Sequence, residues 1–374
     1  MRITTIHATP LLLAFREPYY WAGRCDLDAV AVLVEVRTDE GVSGYAEVTG
    51  GYPPVAIDAA LQEIGTVLIG LSPLDIAGSL REVHHLYGLT QAGNFANLIV
   101  GAVEMALWDI MGKALDQPVY RLLGGACRGE VDYFAFVHGR DAEELAEDAR
   151  EAVAAGYSVV YMKVGRGESE DMENVAAVRD VIGDRRLRLD ANGAWDVRDA
   201  IYMIRRLAIY EPDWIEQPAH TKSIAALKHV KESVPVPVAA DDLIYSLFDV
   251  YEICRQRAAD VLVLSPHETG GLAPFRKAAG IAEAAGIAIN LHGRFVTGVT
   301  DMALHYAALT IPNLTEGNQI MHQILREDII SAPDITPRSG RLGMYDAPGL
   351  GFQLDDEAVG RAAELYSRSV TTGT

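Results

Sequence analysis

After Gly129 the chain settles into short apolar runs separated by longer amphipathic stretches, and this rhythm restricts the fold more than any other feature. The runs fall at 131–137, 159–164, 187–190, 214–216, 236–240, 261–264 and 287–291, with a weaker one at 314–316. Each is short, rich in Val, Ile and Leu, and apolar on both faces, as a buried parallel strand must be. The spacing predicts helices at 142–155, 172–182, 197–209 and 272–285, and no long unstructured loop interrupts the alternation. Eight such strands predict a (β/α)8-type barrel. An open doubly wound sheet would require a glycine-rich turn after its first strand, and Phe136-Val137-His138-Gly139-Arg140 supplies one glycine.

The first third reads differently. Alternating residues at 3–9, 30–37 and 42–48, with a turn at 39–41, predict a small antiparallel sheet, and helical spacing then runs over 55–124, most clearly at 98–110. The division expected is an α+β domain at 1–125, a barrel at 126–335, and a segment at 336–374 that packs back on the first domain.

In a parallel barrel the residues that end the strands share one rim. Asp190, Glu216 and Asp241 end three consecutive runs, about one βα unit apart. Any one of them alone reads best as a helix N-cap. Three at matching strand ends repel one another, and a cation is what keeps them ionised together; an all-oxygen set favours Mg²⁺. Asn192 and Asp242 are close enough in sequence to assist them. Lys163 interrupts an apolar strand, and alternation puts Tyr161 on the same face. Burial beside a metal is expected to lower the Lys163 pKa toward that of a general base. His292 follows the seventh run and is a candidate proton donor or acceptor on the side opposite Lys163. Ser265 ends the sixth run, and Glu316 is a candidate for hydrogen bonding a substrate oxygen. Tyr19, Tyr20, Trp21 and Tyr52 lie in aromatic, turn-rich stretches of the first domain that read as substrate-covering loops.

Charge and cysteine usage narrow the class. Fifty-two acidic against 32 basic side chains give a net charge of -20, the wrong sign for binding nucleic acid through overall charge. The 3 cysteines are widely spaced without a CxxC pair, so neither a disulfide framework nor a zinc site is expected. No run of about 18 uninterrupted apolar residues occurs. A soluble, cytoplasmic protein without membrane contact is the expectation.

These motifs resemble the muconate-lactonising enzyme and mandelate racemase branch of the enolase superfamily over nearly the whole chain. The resemblance rests on Ala102-Val103-Glu104-Met105-Ala106-Leu107-Trp108-Asp109 continuing to Leu122-Leu123-Gly124-Gly125, on Asp190-Ala191-Asn192, and on Trp214-Ile215-Glu216-Gln217-Pro218. Ala239-Ala240-Asp241-Asp242 and Gly270-Gly271-Leu272 complete it. It implies an α+β capping domain over a modified TIM barrel of (β/α)7β form, and Mg²⁺ on Asp190, Glu216 and Asp241. It further implies an enolate formed by removing the proton α to a carboxylate, on a small substrate, in a homo-oligomer. Lys163 matches the second lysine of the family's Lys-x-Lys motif and takes its acid/base role. Tyr161 replaces the first lysine. Ser265 stands where the lactonising branch has a lysine and the racemase branch an aspartate that supports the histidine at the His292 position. His292 without that aspartate is expected to be less well oriented and less basic. The implied activity is a cycloisomerase or racemase reaction. Dehydration of an acid sugar, with Lys163 as base and His292 as acid, is the alternative, and a non-catalytic carboxylate binder is the third reading.

Overall fold

A computed structural model describes residues 1–21, 24–87, 93–220 and 222–372. The chain opens with a long antiparallel ribbon, β1 (Ile3–Trp21) against β2 (Arg24–Thr38), and β3 (Ser43–Val48) completes a three-stranded sheet. The helices α1 (Pro54–Leu68), α2 (Ile76–Tyr87) and α3 (Gly93–Ala114) cover it, followed by the short α4 (Val119–Leu122); positions 88–92, within the predicted helical region, lie outside the described residues. The ribbon is longer than the alternation predicted. Pairing slips between Ala14 and Tyr19 and then resumes through Tyr20–Cys25 and Trp21–Arg24. Residues 15–21 therefore form a bulged strand extension rather than a turn-rich loop, because the aromatic side chains of Phe15 and Tyr19 pack inward and carry the strand onward.

The second unit begins with β4 (Glu130–Asp132) and β5 (Ala135–Val137), so the first predicted strand is split in two. Alternation of strand and helix follows: α5 (Ala142–Ala154), β6 (Val159–Lys163), α6 (Glu168–Ile182), β7 (Arg186–Asp190), α7 (Val197–Leu207) and β8 (Trp214–Glu216). It continues through α8 (Ile224–Ser233), β9 (Val238–Ala240), α9 (Leu247–Gln256), β10 (Val261–Leu264), the short α10 (Pro266–Thr269), α11 (Leu272–Ala284), β11 (Ala288–Leu291) and α12 (Gly298–Leu309). The parallel sheet has seven strands, in order β11-β10-β9-β8-β7-β6-β5. The predicted eighth strand is reduced to two bridges, Leu314 to Ile289 on one side and Asn318 to Tyr133 on the other. Those bridges span the gap between the sheet's two edges, giving the (β/α)7β form of a modified TIM barrel. Arg188 of β7 holds this segment in place. Its guanidinium is fully buried, stacks 3.6 Å from the Trp214 ring, pairs with Asp213 at 3.0 Å, and donates to the carbonyls of Glu316 and Gly317.

Two buried carboxylates lock the capping unit to the barrel. Helix α11 begins after Gly271, which has no side chain to cap it, and Glu104 of α3 supplies the missing acceptor from across the interface. Its oxygens accept from the Leu272 and Ala273 amides at 2.7 and 2.9 Å and from the Trp108 indole at 2.8 Å. Gly271 makes the approach possible, since a Cβ there would lie 2.5 Å from the Glu104 carboxylate. Glu47, at the end of β3, likewise accepts from the amide and hydroxyl of Thr297, the residue that caps α12, at 2.8 and 3.0 Å. Among the described residues α3 is the one helix long and apolar enough to cross a bilayer, and it is mostly buried within the fold. Beyond the barrel, a short strand at Arg341–Gly343 pairs with β4, and the final helix, Asp356–Thr372, lies against β1.

Candidate active site

Parallel pairing brings Lys163, Asp190 and Glu216 side by side at one rim: Lys163 of β6 is in register with Asp190 of β7, and Asp190 with Glu216 of β8. Glu216 is in register with Ala239, so Asp241, two residues further on, faces the same way. All four side chains are buried and line one cavity of about 380 Å³ beneath the ribbon. Lys163 Nζ donates to Asp190 Oδ2 at 2.5 Å, and the Tyr161 hydroxyl donates to the same oxygen at 2.5 Å and reaches Glu216 Oε1 at 3.2 Å. Tyr161 is held flat against Phe134, with ring centroids 4.4 Å apart.

Burial pushes the Glu216 carboxyl well above its ordinary range, and the neighbouring charges of Asp190 and Asp241 push it further. Asp241 is also raised, mainly by burial, although His292 acts against the shift. The three carboxylates therefore repel one another across a dry rim, as the sequence pattern implied. Burial alone would lower the Lys163 pKa. The attraction of Asp190, aided by Tyr19 and Glu216, outweighs it, and the ammonium is favoured, opposite to the expectation from sequence. The donor set fits a hard dication. It is all oxygen, and the side-chain oxygen of Asn192, which also lines the cavity, is buried without a donor, while Asp241 Oδ1 meets only the His292 ring.

His292 enters from the far side of the sheet, after β11, five strands from Lys163. Its Nδ1 is 2.9 Å from Asp241 Oδ1 and 3.1 Å from Glu268 Oε2, and the hydrogen bond runs to Glu268. The other Glu268 oxygen accepts from Arg294 Nη2 at 2.8 Å. Asp241, Glu268 and His292 also form a compact cluster in their own right, with ligand atoms within 4.8 Å of one another. The histidine without a supporting acid is thus corrected: Glu268 is that acid. Burial works to lower the His292 pKa and to raise that of Glu268, but the charges of Asp241 and Glu268 on the imidazole, and of His292 on Glu268, prevail. His292 is held well above its ordinary value, and Glu268 falls to about 2 with the help of Arg294.

Ser265 would be the strand-register neighbour of His292, yet its hydroxyl accepts from the His267 amide at 3.1 Å and caps α10. One turn of that helix places Glu268 where Ser265 cannot reach. Neither the Glu268 nor the Arg294 role was anticipated, because both lie in connections where no periodicity marks orientation.

The remaining expectations divide. Tyr19 and Trp21 line the cavity, with Tyr19 stacked on Phe136 at 5.2 Å and edge-on to Phe295 at 5.0 Å. Tyr20 points away, under the Arg166 guanidinium, as alternation along β1 requires. Tyr52 packs on Phe95 at 4.8 Å and is not part of the cavity wall, where Gly50 and Gly51 stand instead. Asp242 lies behind Asp241 rather than in the wall, and burial together with the Asp241 charge pushes it up to about 7. Glu316 is misplaced by the sequence reading. Its side chain is exposed and lies 3.7 Å from Arg186, the first residue of β7, at the opposite end of the barrel from Asp190. The segment leaves the ladder through Gly317, which has a φ of 64°, and Gln319 becomes the wall residue, accepting from the Gly293 amide at 2.9 Å.

Residues 4–124 match the family described as mandelate racemase / muconate lactonizing enzyme, N-terminal domain, and residues 144–358 match that described as enolase C-terminal domain-like. N-succinyl-L-Arg/Lys racemase of Bacillus cereus is 29% identical over 96% of this chain and 97% of its own length. Arabinonate dehydratase of Saccharolobus solfataricus is 28% identical over 87% of this chain and 88% of its own. The crystal structure of muconate lactonizing enzyme from Pseudomonas fluorescens, complexed with muconolactone, superposes with a TM-score of 0.90 at 28% identity, covering 96% of this chain and 99% of that one.

Proposed function

Because the chain belongs to the mandelate racemase and muconate lactonizing enzyme branch of the enolase superfamily, we propose that it is a Mg²⁺-dependent isomerase that moves a proton at the carbon α to a carboxylate. The observation that carries this reading is the placement of two acid/base groups, Lys163 and His292, on opposite walls of one cavity whose floor is a cluster of three carboxylates. Asp190, Glu216 and Asp241 would hold Mg²⁺, which supplies positive charge beside the substrate carboxylate as the α-proton leaves. Lys163 Nζ is held by Asp190, one of the residues that would hold the ion; with that carboxylate engaged there, the amine would lose its partner and be free to act as a base. Lys163 then takes the α-proton and the substrate becomes an enolate. Tyr161 keeps the Asp190 carboxylate fixed throughout. His292, which lines the cavity and is oriented through Nδ1 by Glu268, is the group that returns a proton to the opposite face. Glu268 supplies the support that the Ser265 position lacks, which favours a reaction in which both Lys163 and His292 move protons.

Dehydration of a hydroxy acid is the second reading, favoured by the polar groups Arg24, Asp26 and Asp28 that join Trp21 in the cavity wall. In that case His292 protonates the departing hydroxyl. Incubation of the Mg²⁺-loaded protein with muconates, acylamino acids and acid sugars in D₂O, followed by NMR, tests both. Deuterium at the α-carbon of unchanged connectivity is expected for the isomerase, and a dehydrated product would select the second reading. Absence of exchange and product with every acid would count against both.

Two further results are expected. His292→Asn should leave deuterium wash-in from the Lys163 side of a chiral substrate while reducing turnover to the other stereoisomer by about 10²-fold or more; equal loss on both sides would remove His292 from the proton path. Glu216→Gln should weaken Mg²⁺ binding by at least about tenfold in a calorimetric titration, because it removes one of three charged oxygen ligands. Unchanged affinity would move the metal elsewhere.

A further inference from the structure

Arg294 is the part of the site that the proton-transfer chemistry leaves unexplained. Its guanidinium lines the cavity, and its one protein acceptor among the described residues is Glu268 Oε1, bonded through Nη2 at 2.8 Å. Glu268 is itself shared, because its other oxygen serves His292. Arg294 Nε is buried without a partner, and among the described residues no acceptor meets Nη1. A guanidinium carries its charge at every working pH and has five donors in a fixed fork, so a single bond to a shared carboxylate leaves it undersatisfied.

The wall next to it is bare. Gly50, with a φ of 111°, lies against Arg294, and a Cβ at that position would come within 3.7 Å of Nη1 and 3.2 Å of Leu98. The positive φ and the tight contact both favour glycine, and the result is an open approach to Nη1. At the rim, the Asp26 carboxylate is occupied by the Trp21 indole at 2.6 Å, and Asp28 adds a second negative charge to the wall. An anionic substrate end is thus disfavoured at that part of the rim and favoured at the guanidinium.

We propose that Arg294 binds a second carboxylate of the substrate, so that the enzyme acts on dicarboxylic acids, with one carboxylate at the Asp190, Glu216 and Asp241 cluster and the other on the Arg294 fork. The assignment of the first carboxylate rests on the proposed function; that of the second rests on Arg294 alone. Glu268 has a double duty in this arrangement, since it fixes the guanidinium and the imidazole together and so couples recognition of the distal carboxylate to the placement of His292.

Calorimetric titration of the Mg²⁺-loaded protein with chain-matched pairs tests the proposal: butyrate against succinate, valerate against glutarate, and hexanoate against adipate. In the wild-type protein at least one dicarboxylate is expected to bind roughly 10- to 100-fold more tightly than its monocarboxylate partner, the range of a charge-assisted bond. Arg294→Met should reduce that advantage to less than about threefold. Arg294→Lys, which keeps a cation for Glu268 but loses the fork, should fall between, and it decides the matter if the methionine variant fails to fold. No dicarboxylate preference in any pair, or a preference that survives both substitutions, would overturn the proposal. Repeating the titrations after chelation separates the two readings. Monocarboxylate affinity that ignores Mg²⁺ would sink the metal-assisted mechanism, while an Arg294-dependent dicarboxylate advantage would still stand.

Discussion

Lys163→Met is expected to slow proton exchange at the substrate α-carbon by about 10²- to 10⁴-fold, the contribution of a positioned general base. Methionine keeps an unbranched apolar stem in a strand that is buried along its whole length, so the rim should retain its shape. The same substitution is expected to strengthen Mg²⁺ binding. Lys163 donates to Asp190 Oδ2, and a cation placed on that carboxylate must displace it. Loss of exchange together with equal or higher metal affinity separates removal of the base from damage to the metal site. Exchange rates measured by NMR in D₂O and metal affinity measured by calorimetry provide both readouts. Exchange that persists at the wild-type rate would exclude Lys163 as the base.

The largest stability effect is expected at Glu104, far from the chemistry. Glu104→Ala removes a fully buried acceptor of three hydrogen bonds, stranding the first amides of α11 and the Trp108 indole, and leaves a void where the carboxylate lay. Unsatisfied buried donors cost about 1–3 kcal/mol each. With partial relaxation and water entry, a total of about 3–5 kcal/mol is expected, a large share of the stability of a typical domain. Glu104→Gln should cost less, about 1–2 kcal/mol, since one oxygen still accepts while the new amide faces the Leu272 N–H. Urea unfolding at neutral pH measures both. If alanine is as well tolerated as glutamine, the carboxylate does not cap α11.

The barrel was legible because its strands are buried on both faces and so read as uninterrupted apolar runs; 214–216 and 261–264 coincide with β8 and β10. The acidic rim was legible for a related reason. Equal βα units put strand-ending residues at equal spacing, and a strand's period of two placed Tyr161 beside Lys163, with 3.4 Å between hydroxyl and amine. Glu316 was misjudged where that regularity fails, because its segment pairs through isolated bridges and turns away at Gly317 before a face is defined. Glu268 sits in a single helical turn and Arg294 in a loop, where a residue's direction is set by the neighbours it meets and not by its position in a repeat. The lowered Lys163 pKa expected from burial was reversed by a partner on the next strand, a contact of 27 residues' separation that composition cannot weigh.

The bulged ribbon over the cavity makes substrate choice a separable module. Tyr19 and Trp21 on one strand, and Asp26 and Asp28 on the other, reach the cavity through every second position, while Tyr20 between them faces outward. None of these residues ends a barrel strand. Changes at this small alternating set can therefore retune which acid is accepted while the proton-moving machinery below stays intact, so that a new specificity is reachable by single substitutions without passing through an inactive protein. Directed evolution confined to Trp21, Asp26 and Asp28 would explore new substrates, whereas Tyr19, buried among Phe15, Phe136 and Phe295, also belongs to the core.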